Sequence, residues 1–265
     1  MRGDTKRASF KQTGLGANRT GKASVHLSSR LLRTLLGVTL VLIVVHLILQ
    51  YLNFVIYHQQ VGQMYELANR FDLDDESSVP TWWAQVLFLA IGLGAWLSAY
   101  LQPDQATRRL WSTVAALGLI FSLDEVAALH EHILQSVHNL FFRDSSPTGM
   151  ANAWWLVAPL LLLTGAWLLW KMVRLFPRRT TVLLAVGGAV FLVGSVVADL
   201  LTSIAPRETF LNQGIMVAVE EGLELIGSVI VFYAIADYLE MYHYSVLRNV
   251  VSQLRMRPTL KRDGS

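Results

Sequence analysis

The sequence has no cysteine in its 265 residues. That absence excludes disulfides, thiolate metal ligands and cysteine nucleophiles together. Charge is scarce as well, at 15% of residues, against about 25% in an ordinary soluble domain. What the chain has instead is apolar surface: 53% of residues are hydrophobic and the mean hydropathy is +0.42. This composition excludes a disordered chain and argues against an ordinary soluble enzyme. The apolar residues run in long continuous blocks rather than in short alternating strands, which favours membrane helices over a β-barrel.

A helix of about 20 mostly apolar residues crosses about 30 Å of hydrocarbon. Six segments meet that requirement, at roughly 34–56, 82–101, 110–131, 152–172, 180–204 and 215–240. The expected fold is all-α, a polytopic bundle of six transmembrane helices. A disordered basic tail over 1–30 is expected to precede a membrane domain over 31–242, with a basic extension over 243–265 after it.

Of the 22 Lys and Arg, all but Arg70, Arg143 and Arg207 fall in the two tails or in the loops near 102–109 and 171–179. Placing those segments in the cytoplasm gives an N-in/C-in topology. Of the 19 acids, only Asp4, Asp104, Asp237, Glu240 and Asp263 then share the inner side. A basic inner side is what orientation and anionic lipid require, so the net charge of +3 is no sign of a nucleic-acid partner. The tail composition also suits a mitochondrial transit peptide. However, the first apolar run is long enough to span and no A-x-A site is clear, so a multi-pass protein of the bacterial plasma (inner) membrane is expected.

The informative residues are carboxylates within apolar runs, where ionisable groups are costly. The third run reads FSLDEVAALHEH and carries Asp124, Glu125, His130, Glu131 and His132; the fifth carries Asp199; the sixth carries Glu220, Glu221 and Glu224. At 1.5 Å per residue, Asp124 lies roughly 10 Å from an outer boundary at residue 131, and Asp199 about 7 Å from one at 204. Glu220 to Glu224 lie about 7–13 Å in from residue 215. The three helices thus present acid at one level of the outer leaflet. By helical phase Asp124 eclipses Glu131, Glu125 eclipses His132, and the three Glu of the sixth run share one face. His130 points away from the Asp124/Glu131 stripe and needs a local unwinding, or a neighbouring helix, to join them.

Clustered carboxylates in a low-dielectric setting cannot all be ionised. Either several carry protons or a metal ion supplies the positive charge. Oxygen-rich ligation with one or two imidazoles suits Ca, Mn or Fe, and Zn where His dominates. The expected ligands of such a divalent ion are Asp124, His130, Glu131, Glu220 and Glu224, with Glu125 or Glu221 as general base. The opposing reading is a wet acidic rim, or a proton pathway without metal.

Other residues read as structural. Asp237 and Glu240 are expected at the inner interface near Arg248, and His46 as a satisfied helix-packing group. The outer loop holding Asp72, Asp74, Asp75 and Glu76 lacks the Gly and spacing of an EF-hand and reads as solvated. Trp82, Trp83, Trp154 and Trp155 read as an outer aromatic belt. Gly187, Gly188, Gly194, Gly222 and Gly227 read as close helix contacts. Ser122 lacks any nucleophile motif.

The segments FDLDDESSVPTW, FSLDEVAALHEH and VEEGLELIGS resemble a family of uncharacterised bacterial six-span membrane proteins sharing D-x-E…PTW, S-L-D-E…H-E and E-E-x-x-E motifs. The resemblance covers about residues 34–242 and implies that Glu76, Asp124, Glu125, His130, Glu131, Glu220, Glu221 and Glu224 act together; it brings no activity. A looser similarity links the chain to alkaline-ceramidase-like membrane hydrolases, whose zinc ligands are intramembrane His and Asp. The leading expectation is a metal-dependent membrane enzyme acting on a lipid or lipid-linked substrate. The alternatives are a cation- or proton-coupled transporter and a non-enzymatic protein with a structural metal site.

Overall fold

The computed structural model describes residues 25–58, 62–129, 132, 133, 136, 140, 149–198, 201 and 209–255. Within them the chain is all-helical: α1 (Val25–Tyr51), α2 (Gly62–Arg70), α3 (Val79–Tyr100), α4 (Gln105–Ala127), α5 (Gly149–Leu175), α6 (Arg178–Leu192) and α7 (Val217–Arg255). Three π-helical segments adjoin these, at Leu52–Ile56, Val193–Ala198 and Leu211–Met216.

Five helical stretches are long and apolar enough to cross a membrane: Ser28–Ile56, Val79–Tyr100, Gln105–Ala127, Ala158–Leu175 and Arg178–Ala198. The sixth expected span, in α7, is not among these five, although the helix is long enough to cross. Glu220, Glu221, Glu224, Asp237 and Glu240 all lie in its first 24 residues.

Helix ends follow local chemistry. Ser78 caps α3, its hydroxyl accepting from the Thr81 N–H at 3.2 Å, with Pro80 in the first turn. Asp104 caps α4, its Oδ2 accepting from the Thr107 N–H at 2.8 Å. That bond to the backbone N–H holds the exposed carboxyl below its ordinary value.

The middle of the bundle is α7, which packs on α1, α3 and α6, while α3 and α4 form a tight antiparallel pair. The tightness comes from glycine: a Cβ on Gly118 would lie 2.6 Å from the Gly92 backbone nitrogen, and one on Gly187 would lie 2.9 Å from the Gly227 carbonyl oxygen. Gly188, by contrast, has nothing within 4 Å of its Cβ position and is no contact. Around these seams Trp111 stacks on Phe176 (ring centroids 4.4 Å) and leans on Tyr238 (4.9 Å). Helix α5 lies at the edge, only 6% of its apolar stretch being buried, and Pro159 sits inside it without ending it.

Two expectations about structural residues change. Asp237 pairs with Arg179 of α6 (Oδ1–Nη2 2.8 Å), a partner supplied by helix packing that sequence spacing does not reveal. Trp82 is exposed, but Trp83 turns inward and its Nε1–H donates to the Thr39 hydroxyl at 3.0 Å, tying α3 to α1.

Candidate functional site

The irregular backbone gathers where the sequence places acid. At the C-terminal ends of α1 and α6 and ahead of α7, the α-helix gives way to a π-helix. At the end of α4, Ala128 adopts φ 46° and ψ 40°, the left-handed region that a residue with a Cβ rarely enters. Its N–H still reaches the Asp124 carbonyl at 2.8 Å, so the helix closes there and the chain redirects. The expected third span, drawn to residue 131, therefore ends as an α-helix at Ala127. Such strain and π-turns recur at functional sites because the surrounding structure must over-determine them.

Asp124 and Glu125 occupy the last turn of α4 and are partly buried. His132 follows the break, exposed, its Nδ1 2.8 Å from the Ala128 carbonyl. It folds over its own turn. His130, Glu131 and Asp199 lie outside the described residues. Ser122 donates to the Gln85 carbonyl of α3 at 3.2 Å, which occupies its hydroxyl in helix packing.

Glu220, Glu221 and Glu224 lie in the first two turns of α7, each partly buried. The strongest electrostatic neighbours of Glu221 are Glu224, then Glu125 of α4, then Asp74 of the loop between α2 and α3, then Glu220. Carboxylates of three separate elements thus act electrostatically on Glu221, among them Glu125, the other residue expected to act as a base. The Val193–Ala198 segment backs this group: a Cβ on Gly194 would lie 2.7 Å from the Glu220 carbonyl oxygen and 2.9 Å from Glu224 Cγ.

Asp74 and Glu76 are exposed, as a solvated loop predicts, but the loop is anchored through Asp72 and Leu73. Leu73 is buried, and Asp72 is only 14% exposed. Asp72 Oδ2 accepts from Gln50 Nε2 at 2.8 Å, and its Oδ1 lies 3.4 Å from His46 Nδ1. The Leu73 N–H donates to that same Nδ1 at 3.2 Å, so His46 carries its proton on Nε2 and directs it at the Gly214 carbonyl, 3.2 Å away. Burial raises the Asp72 carboxyl above its ordinary value, against the hydrogen bonds it accepts from the Asp74 N–H and Gln50. The loop that the sequence presents as solvated is thereby pinned to α1. One signal in the sequence points to this contact: His46, Gln50 and Asn53 stand at helical spacing on one face of an otherwise apolar run.

Among the described residues no group of three or more His, Asp or Glu is arranged to hold a metal ion. Of the five expected ligands, Asp124, Glu220 and Glu224 are described and do not form such a group by themselves.

No curated protein and no solved structure matches the chain. Residues 35–238 match the model of a family described as a domain of unknown function, DUF8692, a stretch that takes in every carboxylate of the cluster. The chain belongs to the DUF8692 family.

Proposed function

We propose that this chain is a six-span membrane protein, N-in/C-in in a bacterial plasma membrane, whose outer-leaflet carboxylate cluster works with a divalent metal ion on a lipid or lipid-linked substrate. The observation that carries the reading is the convergence of Glu125, Asp74, Glu220 and Glu224 on Glu221 at one end of an apolar bundle. Like charges gathered there need positive charge or protons. The described acids lack imidazole, so the ligand set requires His130 and Glu131 beyond the break at Ala128. The left-handed Ala128, two residues before His130, supports this reading because a continuous helix would hold His130 off the Asp124/Glu131 stripe.

In this reading Asp124, His130, Glu131, Glu220 and Glu224 hold the ion, which would supply an activated water and polarise the scissile group. Glu125 or Glu221 takes the proton from that water. Zn, Fe, Mn and Ca all remain compatible with the donor types. Flanking apolar faces would admit an acyl chain from the bilayer while the acids meet the polar headgroup.

A second reading, cation or proton passage, draws on Asp237, which is 5% exposed on the same helix as the acids. Its pairing with Arg179 gives it a structural task and weighs against passage. The two readings separate in one comparison. The protein is reconstituted in vesicles with short-chain lipid or lipid-diphosphate substrates, and both hydrolysis and ion flux are followed. Hydrolysis lost in Glu125→Gln or Glu221→Gln, with unfolding unchanged, supports the enzyme; flux without hydrolysis replaces it.

A further inference from the structure

The first helix carries a second polar centre that the acid cluster does not use. His46, Gln50 and Asn53 lie along one face of α1, and each is at most 2% exposed although the helix around them is apolar. Asn53 lies just past the end of α1, in the π-helical segment Leu52–Ile56. From the loop between α2 and α3 Asp72 closes against the same face.

Donors and acceptors here do not balance. The Gln50 amide N–H is spent on Asp72, the Leu73 N–H on His46 Nδ1, and the His46 Nε2–H on the Gly214 carbonyl. The Asp74 N–H also reaches Asp72 Oδ1, at 3.3 Å. Against these spent donors, the side-chain oxygens of Gln50 and Asn53 are both buried and without a hydrogen-bond partner among the described residues. Two orphaned amide oxygens one helical turn apart, with a largely buried carboxylate held against the same face, leave this end of the helix rich in acceptors. With Nδ1 of His46 accepting a hydrogen bond, the imidazole is neutral and the group's formal charge is that of one carboxylate.

We propose that this group of acceptors binds a monovalent alkali cation, sodium or potassium. Neutral amide oxygens with one carboxylate are hard ligands that match such an ion in charge and chemistry. The bound cation satisfies both orphaned oxygens at once and fastens the Phe71–Glu76 loop to α1. This inference does not depend on the metal chemistry proposed for the acid cluster, because the residues are different and the ion is of another class.

The test is thermal unfolding of the detergent-purified full chain, followed by its eight tryptophans, in sodium, potassium or choline chloride at equal ionic strength. A saturable rise of the midpoint is expected with at least one alkali cation, of about 3–6 °C at ten times the dissociation constant. Asn53→Leu removes an orphaned oxygen and should unfold no earlier than wild type in choline while losing the alkali response. Asp72→Asn should lose the response as well, and Glu220→Gln/Glu224→Gln should keep it. Identical midpoints of the wild-type protein in all three salts overturn the proposal without any variant. So does a response that survives Asn53→Leu and Asp72→Asn, or one that disappears only with the glutamates, which assigns it to the acid cluster.

Discussion

A Cβ placed on Gly194 would sit 2.7 Å from the carbonyl oxygen of Glu220. The π-helical segment that follows α6 therefore meets α7 backbone to backbone, at the turn that carries the acids. Gly194→Ala must push the two apart, because a carbonyl cannot move aside as a flexible side chain can. Overpacking of this kind costs about 1–3 kcal/mol. Gly188→Ala is the matched control, with open space at its Cβ position; it should be neutral or gain up to about 1 kcal/mol from helix propensity. Unfolding of both variants in detergent checks the contrast, and equal effects would refute the close approach.

The bundle was largely legible in the sequence because lipid-crossing helices announce themselves through length and hydropathy. The acids of α7 were legible for the opposite reason, since charge stands out in an apolar run. Five helical stretches among the described residues are long and apolar enough to cross a membrane, against the six expected from the apolar runs. The left-handed Ala128 and the π-helical segments carry no local signature; alanine is an ordinary helix former, and the chain departs from the helix there because of tertiary context. Asp72 was misread for a similar reason. Nothing local distinguishes it from Asp75 or Glu76 in an acidic loop, and its burial depends on Gln50 and His46 from a helix about 20 residues earlier.

The Asp72 carboxyl provides a pH test. Burial holds it above its ordinary value near 3.8, and Asp75 of its own loop pushes it the same way. The folded chain therefore keeps a proton that the unfolded chain has released. Stability from this group is complete below pH 3.8 and is lost as pH rises through the raised value. Asp72→Asn mimics the protonated form and should not lose it. In choline chloride, the stability of Asp72→Asn relative to wild type should increase between about pH 4 and about pH 7. A difference that shrinks with rising pH would mean that the folded state prefers the carboxylate.

Topology can be read without background because the natural chain has no cysteine. Ser77→Cys in the loop between α2 and α3 and Ala106→Cys in the first turn of α4 are both at exposed positions. With N-in/C-in topology, a membrane-impermeant maleimide labels the first in intact cells or spheroplasts and the second only after permeabilisation. The reverse pattern would invert the bundle and move the acid cluster to the cytoplasmic leaflet.

The central claim is that the carboxylates around Glu221 work with a divalent metal ion. The most direct measurement is elemental mass spectrometry of detergent-purified protein prepared without chelator, with Glu220→Ala/Glu224→Ala beside it. The account predicts near-stoichiometric divalent metal in the wild type and its loss from the variant, both proteins unfolding cooperatively. Folded wild-type protein free of metal, or metal retained in full by the variant, would contradict it.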